Sequence, residues 1–160
     1  MVKEIKMEKV ENLKTLKQDY EKIKQKYNLP EWKYMNEEFG IEDIQQLQLE
    51  NMVGHVRQRV MGRIYSILNW LEGFMNPQRA NMANMMILND LTEDDKKLLN
   101  KVYANFIKIT SKFTTLGTIK YNEKAEAEFM KEAIKKFEDN RNNVRKFAER
   151  IEYLHIEKLK

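Results

Sequence analysis

Arg57, Arg59 and Arg63 lie close together in a segment, residues 53–80, that holds four arginines and a single acid. Guanidinium groups on a helix could clamp a dicarboxylate, because each presents a planar fork of donors matched to carboxylate oxygens. On a helical wheel centred on Val53, Val56, Val60, Ile67, Leu71 and Phe74, Arg59 and Arg63 fall on one flank and Arg57 on the other. Flanking arginines also suit a structural role, stem on the core edge and head paired with an acid.

A second basic feature is the row Lys101, Asn105, Lys108 and Lys112, stepping 4,3,4 along a helix in which residues 98–120 contain four lysines and no acid. Such a row can follow a phosphate backbone. Arg141 and Arg145, with Lys146 and the neighbouring asparagines 140, 142 and 143, would extend it. RNA, DNA or a ribosome is the partner this face implies. No aromatic-rich binding motif accompanies it.

Metal and nucleophilic chemistry find little material. Glu152 and His155 form the one Glu-x-x-His pair in the chain, whereas a carboxylate-bridged metal pair in a helical bundle uses two. The other histidine, His55, has Glu50 five residues upstream, off the required spacing. There is no cysteine, no recognisable nucleophile setting and no glycine-rich phosphate loop. No metal and no cofactor is expected.

Small and soft residues make two further features. Gly62, Ser66, Asn69 and Gly73 step 4,3,4 and would let another backbone approach, either within the fold or from a partner helix. Met75, Met82, Met85 and Met86 are read first as core filling, with an adaptable binding surface as the alternative.

Long amphipathic helices must carry all of these groups. Leu99, Val102, Phe106, Ile109, Phe113 and Leu116 repeat at heptad-like steps. Met130, Ala133, Phe137, Asn140, Val144, Phe147, Ile151 and Leu154 do the same, as do Leu13, Leu16, Tyr20, Ile23 and Tyr27. Helices are predicted over about 2–27, ended by Asn28; over the segment from Pro30 to Gly40; and over 41–75, ended by Asn76 and Pro77. Residues 78–89 are predicted to make a short helix rich in methionine. A Thr92–Asp95 capping box opens the next, which Gly117 closes, and Asn122 caps the last. The expected class is all-α: an elongated bundle of four long helices plus two short connecting ones. It forms a single domain, 1–160, whose heptad-patterned segment 1–28 either folds back or projects to pair with a second copy.

The chain of 160 residues carries a net charge of +4. No run reaches the roughly 18 apolar residues of a membrane span, and acids interrupt any signal-peptide pattern at the start. A cytoplasmic protein without membrane contact is expected. The segment LPEWKYMNEEFGIEDI, the arginine-bearing helix after it and the corner NPQRANM, together about residues 29–90, are similar to a pattern in archaeal all-helical proteins of unknown function. That resemblance implies a helical fold and no site residues. The function expected from the residues is a non-catalytic interaction or adaptor protein, binding a protein or a second copy of itself through the basic face or the small-residue groove. Nucleic-acid or ribosome binding is the alternative, and an enzyme with an arginine clamp the third reading.

Overall fold

A computed structural model describes residues 2–44 and 51–160, with side chains from residue 12 onward. These residues contain six α-helices and no strand: α1 (Val2–Tyr27), α2 (Trp32–Phe39), α3 (Met52–Met75), α4 (Met82–Ile87), α5 (Glu93–Gly117) and α6 (Glu123–Lys158). Four are long and two short, as the periodicity predicts. The chain divides into two compact units, Met1–Arg63 with Ile119–Glu132 and Ile64–Thr118 with Ala133–Lys160, and both α3 and α6 supply residues to each.

In the first unit, the heptad stripe of α1 buries Leu16 and Tyr20 and half-buries Leu13, Ile23 and Tyr27. The Tyr20 hydroxyl donates to the Pro30 carbonyl at 2.7 Å, and its ring meets Trp32 edge to face at 5.6 Å. Burial, reinforced by Glu21 and Glu31, raises the Tyr20 phenol well above its ordinary value. At the other end of the helix Tyr27 and Lys26 both donate to Glu123, at 2.5 and 2.9 Å. The Tyr27 hydroxyl first, and Lys26 second, hold the Glu123 carboxyl below its usual range. Residues 13–27 therefore pack on their own chain.

Local chemistry sets the helix ends. Asn28 adopts a left-handed φ of 53° and stops α1; asparagine is one of few side chains that tolerate it. Gly40, at φ 61° and ψ 44°, stops α2 in the same region, where a Cβ would be strained. Pro30 lies just outside α2, which begins after extended Glu31. The continuous helix expected from residue 41 is not formed: Ile41–Asp43 is a 3₁₀ turn and Ile44 is extended, while the predicted part over 45–50 lies outside the described residues. The start of α3 is fixed by Asn51, whose Oδ1 accepts the Gly54 N–H at 3.0 Å. A Cβ on Gly54 would come within 2.6 Å of the Asn51 amide, so glycine there makes the cap possible.

In the second unit, α5 buries Leu99, Val102, Phe106 and Ile109, and α6 buries Ala133, Phe137, Phe147, Ile151 and Leu154. The capping box at α5 is formed. Thr92 Oγ1 accepts the Asp95 N–H at 3.2 Å, and Asp95 Oδ2 accepts the Thr92 N–H at 2.9 Å. Arg150 of α6 donates to the same carboxylate oxygen at 3.2 Å. Burial opposes the Asp95 charge, but the Thr92 amide, the Thr92 hydroxyl and Arg150 outweigh it and hold the carboxyl below its ordinary 3.8. A depressed carboxyl stabilises the fold above the unfolded value, and that contribution is lost as pH falls through the folded one. Thr92→Ala is expected to cost about 1 kcal/mol at neutral pH. The stability gap between the native chain and Asp95→Asn should narrow as pH drops below 3.8. Thermal unfolding at neutral pH and again in acid checks both; a gap independent of pH would contradict the assignment.

Candidate functional site

The first unit contains a concavity of about 350 Å³ between α2 and the opening turns of α3. His55, Arg59 and Arg63 recur every fourth residue, so they lie one above another on a single face of α3. Gln58 and Gly62 join them. The opposite wall is built by the Gly40 stop: reversal of the chain there, through the 3₁₀ turn, brings Phe39 and Ile44 to the same hollow, with Glu38 beside them. The turn is pinned by the Glu42 N–H, which donates to Asn36 Oδ1 at 2.9 Å. Apart from its chain neighbours and the helix backbone around it, nothing lies within 4 Å of where a Gly62 Cβ would stand, so that wall is bare backbone facing open space.

This hollow divides the three arginines as the wheel indicates. Arg59 and Arg63 line it, while Arg57 turns the other way and forms a largely buried ion pair with Glu126 of α6. The three-arginine clamp is therefore not assembled. His55, Gln58, Phe39 and Ile44 escaped sequence reasoning. The four-residue recurrence of His55 with Arg59 and Arg63 was a usable signal; the apolar wall was not, because it depends on how the turn after Gly40 folds back.

Lys101, Lys108 and Lys112 are exposed on α5, and Arg141 and Arg145 on α6. Asn105 is not part of an open row. It is half-buried and donates to Asn140 Oδ1 at 3.0 Å, while Asn140 donates to the Lys136 carbonyl at 2.8 Å. Asn140, set in the apolar stripe, is thus satisfied inside the second unit, where an unpaired amide would be costly. Arg145 sits 3.7 Å from Glu149. The entire charge excess belongs to this unit, with fourteen basic residues against ten acidic, whereas the first unit holds fifteen of each.

The small-residue strip does not act as one feature. Gly62 faces the hollow described above; Ser66 and Asn69 are exposed; Gly73 is buried, and a Cβ there would stand 3.0 Å from the amide nitrogen of buried Asn84. Gly73 is small because α4 packs over it.

The methionines overturn the core-filling expectation. Met82, Met85 and Met86 are 79%, 53% and 51% exposed, and Met75 is also exposed. On α4 it is Asn84 and Ile87 that turn inward. Hydropathy could not foresee this, since the same apolar, adaptable side chain that fills core gaps also lines binding surfaces. The corner is firmly held all the same. Asn81 Oδ1 caps α4 through the Asn84 N–H at 2.8 Å, and His155 of α6 bonds the Ala83 carbonyl at 3.2 Å. Lys158 pairs with Asp90 at 2.8 Å, and α6 presents exposed Ile156 and Leu159 beside these anchors. Next to Met75 a mainly apolar hollow of about 300 Å³ is lined by Phe74, Pro77, Leu88, Leu91 and Leu99, with Lys96 and Asn100 also at its wall.

Among the described residues no group of three or more histidine, aspartate or glutamate side chains is arranged to hold a metal, and no helix is long and apolar enough to cross a membrane. No protein-family model, curated protein or solved structure matches the chain.

Proposed function

We propose that this chain is a non-catalytic protein-interaction module, and that the methionine corner of the second unit receives an apolar segment of a partner protein. The observation that carries this reading is the exposure of Met82, Met85 and Met86 on an element whose backbone is held by Asn81 and His155, with the turn after it tied to α6 by the Lys158–Asp90 pair. A six-residue helix has no stability of its own, so these anchors serve to present the corner. Leaving three long apolar side chains in water forgoes burial worth about 1.5 to 3 kcal/mol each. Clustered exposure of that kind marks interaction surfaces. Unbranched thioether side chains adapt to a partner's shape while the backbone beneath them stays in place.

The charge excess of the second unit favours a second reading, in which Lys101, Lys108 and Lys112 lead a nucleic-acid-binding face. One experiment separates the two. The tagged protein is recovered from its native lysate after nuclease treatment, in its natural form, as Met82→Glu with Met86→Glu, and as Lys101→Glu with Lys108→Glu. A partner protein retained in high salt, and reduced about 10-fold or more by the methionine changes alone, is the expected result. Recovery that vanishes with nuclease or salt, and that follows the lysine changes, would replace this reading with the second one. Sedimentation of the purified protein shows whether the partner is another copy of the chain.

A further inference from the structure

The hollow between α2 and α3 has the chemistry of a small-molecule site, independent of the methionine corner. Arg59 and Arg63 stand one helical turn apart, a like-charge spacing that destabilises an isolated helix. Their own counter-charges are weak. Arg59 pairs with Asp43 at 3.7 Å, beyond hydrogen-bond reach, and the Asp43 side chain is 72% exposed. Arg63 is exposed and forms no ion pair among the described residues. Arg57 of the same helix, by contrast, is neutralised by buried Glu126. Among the described residues Arg59 is thus only loosely paired and Arg63 forms no ion pair, and the two stand side by side in a hollow that also offers the donors of His55 and Gln58.

We propose that this hollow binds a phosphate monoester with an apolar or aromatic body. Two guanidinium forks supply more donors than one carboxylate can accept, and they match the three terminal oxygens and double charge of a phosphoryl group. The bare wall at Gly62 lets that group approach the helix between the two arginines. Phe39 and Ile44 offer an apolar wall to the rest of the ligand, and a volume of about 350 Å³ is at the small end of ligand cavities. Glu38, on the α2 side, disfavours a second anionic group and so selects one phosphoryl over a polyanion.

The test is titration of the full chain with phenyl phosphate, inorganic phosphate and phenol, followed by the ¹⁵N–¹H shift of Gly62 and by calorimetry. Phenyl phosphate should bind saturably with a Kd of about 1 mM or below, and roughly 3-fold or more tighter than inorganic phosphate. Arg59→Gln with Arg63→Gln should weaken it about 10-fold or more, whereas Lys101→Gln with Lys108→Gln should leave it unchanged. Gly62→Leu fills the hollow without altering charge and should weaken phenyl phosphate also; it keeps the test decisive if the double arginine variant is misfolded by circular dichroism. Absence of saturation would overturn the proposal. So would phenol binding as well as phenyl phosphate, equal binding of inorganic phosphate, or loss that follows the lysine changes.

Discussion

Replacing Glu126 with alanine is expected to destabilise the protein by about 3 to 5 kcal/mol, because it removes the buried carboxylate that faces the Arg57 guanidinium in a site from which water is largely excluded. The side chains of Arg57 and Glu126 are only 13% and 5% exposed, and Arg57 Nη1 donates directly to Glu126 Oε2. At that depth neither charge recovers its hydration when the other is removed. The pair itself need not be strongly stabilising. Arg57→Met combined with Glu126→Leu should therefore cost about 1 kcal/mol or less, far below the sum of the single changes. Urea unfolding followed by the fluorescence of Trp32, which packs on Tyr20 in the same unit, measures each variant in a Trp70→Phe background. If Glu126→Ala cost less than 1 kcal/mol, water would be reaching the pair, and Arg57 would be available to a ligand after all.

The contrast between Arg57 and its neighbours shows where local reasoning reaches its limit. Helical geometry alone separates Arg57 from Arg59 and Arg63, because residues two apart point to different faces. Nothing local says that Glu126, sixty-nine residues away, will neutralise one of them. The same division runs through the fold. Asn28, Gly40, the Thr92–Asp95 box and Asn122 could be read directly, since each ends or starts a helix through its own backbone conformation or bonds to residues within four positions. The stripe of α6 was readable too, including Asn140, but not its bond to Asn105, which requires the pairing of two helices.

Two misreadings have the same origin. Ile41 and Ile44 continue an apolar helical pattern toward α3, yet the turn after Gly40 takes them out of it, and the decisive start signal is the cap that Asn51 makes on Gly54. The methionines read as core because their hydropathy is that of core residues. Their exposure follows from Gly73, Asn84 and Ile87, which settle which side of α4 is inward. In each case the residue types were visible, and what was missing was a contact between segments that the period of a single helix does not encode.

The packing beneath that corner carries the second large effect. Trp70, Phe74 and Phe147 form a triangle of edge-to-face rings with centroid separations of 5.4 to 5.6 Å. Phe147 is 1% exposed, so Phe147→Ala removes two ring contacts at once and leaves a cavity whose walls are held by two helices. The expected cost is about 3 to 5 kcal/mol, against about 1 kcal/mol for the more volume-conserving Phe147→Leu. Trp70 fluorescence in urea reads the loss directly, in a Trp32→Phe background. Phe74 also adjoins Gly73, the position over which α4 packs, and lines the apolar hollow next to Met75. Loosening the triangle should therefore increase hydrogen exchange at the amides of residues 84–87 more than at the Thr92–Asp95 cap, which rests on its own polar contacts. Uniform acceleration at both places would mean that the second unit opens only as a whole. The methionine corner would then have no independent stability through which a partner could act on it.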